Sequence, residues 1–329
     1  MAITMIRRAA LLACGALALA GAGNAQAATA LDFDVFALGN FTSAWTEVNG
    51  SLAAGGNVNV QGFSVGKDLG AGYSGASLVA GSNIVYASGT VFHGDAVAGG
   101  TITASGLTVA NGVATQNAPV PVNFASEATR LQNLSASLSG LAANGAITSN
   151  GHSLTFTGTD AAVNVFNLTT SQLSSSGGFS VFIPEGSVAV FNVSGAAAAL
   201  SGNGAYTING QTIVNQSAGL ASSLLFNFSD ATALTFGGSW AGNVLAPGAD
   251  ATLGWGGFFG SLVANNITGN SEFYVGRFTG YDLVTNPPVS APVPEPASWA
   301  MMIAGFGLIG GMLRRARFGK AAGEGAVLA

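Results

Sequence analysis

From Leu31 onward the apolar positions fall into short runs that alternate with polar or small residues. Phe33, Val35 and Ala37 share one phase, the period of a half-buried strand. Leu154 with Phe156, and Val163 with Val165, repeat it, and denser apolar runs at 181–183, 188–193, 224–228 and 234–236 mark further strands. One segment has a different period. Between Asn123 and Asn144, Phe124, Ala128, Leu131, Leu134, Leu138 and Leu141 recur every three or four residues, which predicts a helix with a single apolar stripe. Asn123 can cap its start and Asn144-Gly145 its end. A helix with one such stripe has to lie against another surface, here the flank of the β structure.

Glycine-rich corners recur between the strands. Ala54-Gly-Gly-Asn-Val58 is echoed by Ala80-Gly-Ser-Asn-Ile84 and Ala98-Gly-Gly-Thr-Ile102, and Gly242-Asn-Val-Leu-Ala246 by Gly260-Ser-Leu-Val-Ala264. An imperfect repeat with glycine at turns and short β-branched runs between is what the coils of a β-solenoid produce. A β-sandwich has the same short strands and glycine turns, so periodicity alone leaves both open.

The two ends read differently. Residues 1–27 form a signal peptide: Arg7 and Arg8, an apolar run, then the small residues Ala25 and Ala27 at the cleavage site. Residues 28–284 are the folded domain and 285–293 a Pro-rich linker. Residues 294–317 begin with Pro294-Glu295-Pro296, continue through Trp299, Ala300 and an apolar run to Leu313, and end on Arg314, Arg315 and Arg317. Apolar residues followed by arginines make a stop-transfer pattern, expected here as a C-terminal hydrophobic helix. At 1.5 Å per residue it reaches roughly 22 Å, short of a ~30 Å hydrocarbon core, so it crosses only with bilayer thinning or arginine snorkelling. Residues 318–329 are a cytoplasmic remnant.

Composition narrows the function. Only 7% of the 329 residues are charged and 49 are Gly. Between Ala28 and Val293 twelve acidic residues face three basic ones, Lys67, Arg130 and Arg277. Nucleic acid is therefore not an expected partner, because phosphate binding needs clustered Lys and Arg. The lone cysteine, Cys14, lies in the leader, so the mature chain has no thiol chemistry. No HExxH or phosphate-loop pattern occurs, and His93 and His152 each sit beside a glycine in a polar turn. No catalytic residue, cofactor or metal site is expected. Asp160, Asp230, Asp250 and Glu272 are the carboxylates a glycosidase reading would have to use, and turn formation accounts for them as well.

Pro294, Glu295, Pro296, Trp299, Ala300, Met301 and Met302 resemble the PEP-CTERM sorting signal. That resemblance implies export, a transient inner-membrane intermediate, and processing by an exosortase-type enzyme at the surface of a Gram-negative cell. The region 33–281 resembles the choice-of-anchor A family. The resemblance rests on Phe33-Asp-Val-Phe36, Leu38-Gly-Asn-Phe-Thr42, Gly50-Ser-Leu-Ala-Ala-Gly-Gly-Asn-Val58, Phe226-Asn-Phe228 and Gly242-Asn-Val-Leu-Ala-Pro247. It implies an all-β, right-handed β-solenoid of the ice-binding-like adhesive type, with one long flanking α-helix.

The expected function is that of a non-enzymatic adhesin or structural protein of the extracellular matrix or biofilm, binding exopolysaccharide or another surface ligand. Trp240 and Trp255, in glycine-rich surroundings, are candidate glycan contacts because indole faces stack on sugars. The same residues, with Phe258 and Phe259, could equally fill the end of the core. The alternatives are a carbohydrate-active enzyme, whether lyase or hydrolase, and an ice-binding protein. Ice binding would need regular threonine ranks, and Thr101-Ile-Thr103 and Thr155-Phe-Thr157 do not recur at one period.

Overall fold

The computed structural model describes residues 28–285. The signal peptide, the sorting motif with its hydrophobic stretch, and the arginine cluster lie outside them.

The chain is mostly β, and its strands pair almost entirely in parallel. In the N-terminal half each strand pairs with the third strand after it. Val35–Ala37, Leu52–Ala54, Ala76–Ala80, Asp95–Ala98 and Ala114–Thr115 stack as one face. Phe41–Ala44, Val58–Gln61, Ile84–Tyr86 and Ile102–Ala104 form a second. Glu47–Val48, Phe63–Val65, Gly89–Val91 and Leu107–Val109 form a third. The sequence echoes are thus stacked rung on rung: Ala54 lies beside Ala80 and Ala80 beside Ala98, and Val244 beside Leu262.

The corners show why the echo has its composition. At Gly81 a Cβ would collide with the carbonyl of Gly55 on the rung before, so the backbones approach too closely for any other residue. Asn side chains then fasten successive turns. Asn57 N–H donates to Asn40 Oδ1 at 2.8 Å, Asn83 N–H to Asn57 Oδ1 at 3.1 Å, and Thr101 N–H to Asn83 Oδ1 at 2.8 Å. The ladder continues through Asn40 N–H on Asn266 Oδ1 to Asp250.

The C-terminal half stacks from the opposite end. Its first-face strands, Val163–Thr169, Val188–Ser194, Leu224–Asn227, Asn243–Ala246 and Leu262–Ala264, close on Val35–Ala37. The first described strand is therefore at the middle of a ten-stranded sheet, and the two halves meet there. The second and third faces join into one sheet because Asp250–Phe259 and Ile267–Tyr274 bend continuously around the corner between them. Aromatic rungs fill the interior: Phe166, Phe191 and Phe226 lie in register, with ring centroids 5.2 and 4.2 Å apart.

The helix is Phe124–Ser139, and Asn123 Oδ1 accepts from Ser126 N–H as expected of its cap. It stops at Gly140, before the predicted end at Asn144, and Leu141 packs from beyond the last turn. Its 16 residues reach about 24 Å, roughly five rungs of ~4.8 Å. It lies across the seam, from Phe36, whose ring is 5.4 Å from that of Phe124, to Asn192, whose Nδ2 donates to Leu138 O at 2.7 Å. The first face is therefore apolar on both sides, which explains the dense run at 188–193. Beneath the helix Asn227 exchanges hydrogen bonds with Ser135, Oγ to Oδ1 at 2.6 Å and Nδ2 to the carbonyl at 2.9 Å. The stripe also buries Glu127 and Ser135, which the apolar pattern did not include. Glu127 takes bonds from Ala30 N–H and Arg130, and Arg130 reaches Tyr281. Asp34, fully buried, accepts from Arg277 at 3.0 Å and from Ser51 N–H at 2.9 Å. These bonds fix the last described segment to the first. Among the described residues no helix is long and apolar enough to cross a membrane.

Candidate ligand-binding cleft

At the bend between the second and third faces the rungs do not match in length. Phe41 pairs with Ile267 and Val48 with Phe273, so the 41–48 rung holds one residue more than its partner. Leu253 pairs with Gly269 and Gly256 with Ser271, so 253–256 also holds an extra residue. A bulge pushes its extra residue out of the ladder. Trp45 and Trp255 are those residues, on the rungs either side of Asn270, and they are 62% and 64% exposed. Among the described residues these two indoles are the most exposed of the large apolar side chains, and they project from one bend.

Trp45 is held in a left-handed backbone conformation, φ +59°, which is costly for a bulky side chain. The corresponding residue on the next rung, Gly62, has φ +57°, and a Cβ on it would overlap the indole of Trp45. Gly62 is therefore the seat on which the ring rests. Trp45 and Trp255 border an open cleft of about 470 Å³ whose other walls include Ser64, Asn270, Glu47 and Glu272.

Glu47 and Glu272 precede the paired residues Val48 and Phe273, so they face outward on neighbouring rungs. Like charges in that relation disfavour the sheet. Lys67 donates to Glu47 at 2.9 Å, a bond that with the attraction of the same carboxylate raises the pKa of the lysine. Glu272 accepts from Asn49 Nδ2 at 3.3 Å and is hydrogen-bonded by Tyr274. Burial first, and then the Glu272 carboxylate, pushes the nearby Tyr274 up to about 12.

The sequence candidates divide. Trp255 is exposed in this cleft, whereas Trp240 is a core residue at 2% exposure, its Nε1–H donating to Gly242 O at 3.1 Å. Trp240 is therefore withdrawn as a glycan contact, and Phe258 and Phe259 are buried with it. Alternation decides this: Trp240 pairs in register with Phe258, an inward position, while Trp255 sits in the bulge. Asp160 closes its own turn by accepting from Ala162 and Val163 N–H, and Asp250 accepts from Asn265 and Asn266. Of the four carboxylates considered from sequence, Glu272 alone lines the cleft. Trp45 and Glu47 were not singled out, because Ser43-Ala-Trp-Thr-Glu47 reads as an irregular polar stretch until its rung is known. Pro294, Glu295, Pro296, Trp299 and Ala300, the arginines 314, 315 and 317, and Ala25 and Ala27 lie outside the described residues. Among the described residues no three His, Cys, Asp or Glu side chains gather as a metal site.

The second face carries a further regularity. Thr235, Thr252, Thr268 and Thr42 lie in register on four successive rungs, all exposed. The row continues as Asn59, Val85 and Thr103. No sequence period reveals it, because Thr42 joins the others only across the seam.

Residues 26–275 match the family described as "Putative Ice-binding-like adhesive domain", and residues 292–317 match the PEP-CTERM protein-sorting motif. Neither a curated protein nor a solved structure matches the chain.

Proposed function

Since this chain belongs to the ice-binding-like adhesive domain family and carries a PEP-CTERM sorting motif, the signal for export and exosortase processing, we propose that it is a non-enzymatic surface adhesin or matrix protein that holds polysaccharide in the Trp45–Trp255 cleft. The finer parts of the reading are also ours: a right-handed β-solenoid, membership of the choice-of-anchor A group, a transient inner-membrane stage, and residence in the cell-surface matrix. The observation that carries the function is the pair of exposed indoles on one bend, each displaced outward by an extra residue in its rung. Sugars present C–H faces that stack on indole, and hydroxyl groups that Asn270, Ser64 and the carboxylates can bond. A stacked parallel ladder supplies a rigid base for such contacts.

The test is binding of the purified domain to exopolysaccharide extracted from the producing cells, with Trp45→Ala and Trp255→Ala as variants. Retention by the parent and loss in both variants supports the reading. Release of reducing ends by the parent, abolished by Glu272→Gln, would instead make the cleft an active site. The intact mass of the protein recovered from the cell surface reports whether the chain is cut near Pro294–Pro296.

The threonine row supports a second reading, ice binding on the second face. Thermal hysteresis that disappears in Thr252→Tyr while Trp255→Ala retains it would favour that reading. A null result in the parent removes it.

A further inference from the structure

The charge in the cleft narrows the class of glycan. We infer that it takes an extended, β-linked polymer of amino sugars with free amino groups, an inference that rests on the cleft being a glycan site at all. Three observations support it.

First, the indoles are attached two rungs apart, about 10 Å at ~4.8 Å per rung. An extended β-linked chain turns over at each sugar and shows the same face at every second residue, a spacing comparable with that separation. Second, Glu47 and Glu272 lie side by side at the same bend and share one cation, Lys67, which pairs with Glu47 and is attracted by Glu272, so one negative charge is left over. The hydrogen-bond partners of Glu272, Asn49 and Tyr274, are neutral, so the excess negative charge remains for a ligand ammonium. A polyuronate would add like charge to this pair and to a domain in which twelve acidic residues face three basic ones. Third, a ligand ammonium above an indole face gains a cation–π attraction that an acetamido or hydroxyl group lacks. Trp45 and Trp255 both offer an open face, and Trp45 is kept outward in a strained backbone. A ligand cation offsets the repulsion between the neighbouring carboxylates.

The experiment is calorimetric titration of the purified domain with four hexamers: glucosamine, N-acetylglucosamine, cellohexaose and a uronic acid oligomer, at pH 6 in low and high salt. The expected order places the glucosamine hexamer about tenfold or more ahead of the neutral hexamers. Its advantage should shrink in high salt. Glu272→Gln should lower the ratio of glucosamine-hexamer to neutral-hexamer affinity severalfold, and an unchanged ratio overturns the charge inference. Trp45→Ala and Trp255→Ala should weaken every ligand. Equal binding of glucosamine and neutral hexamers by the parent overturns the charge inference and leaves the glycan cleft standing. No binding of any hexamer, or binding indifferent to both tryptophan variants, overturns the cleft as well.

Discussion

Gly62→Ala tests the cleft through a lining residue that has no side chain of its own to offer a ligand. Two effects destabilise the variant. Alanine at φ +57° carries a left-handed cost of about 1–2 kcal/mol, reduced by about 0.4–1 kcal/mol for the smaller entropy of its unfolded chain. The new methyl also occupies the space where the Trp45 ring rests. With 62% of that residue exposed, a little over a third is covered; for an indole of about 250 Å² this is roughly 90 Å², or about 2 kcal/mol if the ring detaches fully. The total lies between about 0 kcal/mol with the ring kept in place and about 3.6 kcal/mol with it detached, and for a domain of this size each kcal/mol lowers Tm by about 2–4 °C. Gly72→Ala is the control, since nothing lies within 4 Å of its added Cβ. Differential scanning calorimetry and glycan titration should show Gly62→Ala melting earlier and binding more weakly, and Gly72→Ala doing neither. A Gly62→Ala variant with parental Tm and parental affinity would refute the seat and, with it, the account of how Trp45 is positioned.

Asp34→Ala strips Arg277 and Ser51 N–H of a fully buried acceptor and should cost about 3 kcal/mol, near the lower bound for broken buried pairs because Arg277 is partly solvated; urea unfolding measures it. Asn227→Leu leaves Ser135 without its partner and should cost about 2–3 kcal/mol, with faster amide exchange concentrated in the helix Phe124–Ser139; uniform exchange across the sheet would contradict the assignment. Burial works to raise the pKa of Glu127, but the bonds from Arg130 and Ala30 N–H outweigh it and hold the carboxyl below its ordinary 4.5. Its folded pKa is thus the depressed one, so its contribution to stability is complete above that ordinary value and is lost as pH falls through the lower folded one. Thermal melts from pH 6 to pH 3 should show this acid limb flattened in Glu127→Gln.

Much of the fold was legible because it is written locally. The Ala-Gly-Gly-Asn corner recurs since each glycine must let the previous rung pass close and each Asn must reach the next. The helix showed in its stripe, and its early stop at Gly140 is a matter of one turn. The seam between Val35–Ala37 and Leu262–Ala264 was not legible, because it joins strands more than two hundred residues apart and no short pattern encodes it. The site suffered from the same blindness. Trp240 and Trp255 have similar neighbours in sequence, and only their register separates a core indole from an exposed one. Trp45 and Glu47 gain meaning once Glu272 and Trp255 are known to stand beside them.

The seam also determines where a mechanical load enters. The segment ending at Thr285 lies along the C-terminal half, where Thr279 N–H donates to Ser222 O at 3.0 Å, and is clasped by Arg277 to Asp34 and by Tyr281 to Arg130. Tension drawn through that segment falls first on these clasps and on the hydrogen bonds of the central strands. A pull on that segment therefore loads the clasps before any outer turn is peeled away. Load applied there meets a cross-section joined by an ion pair as well as by the ladder.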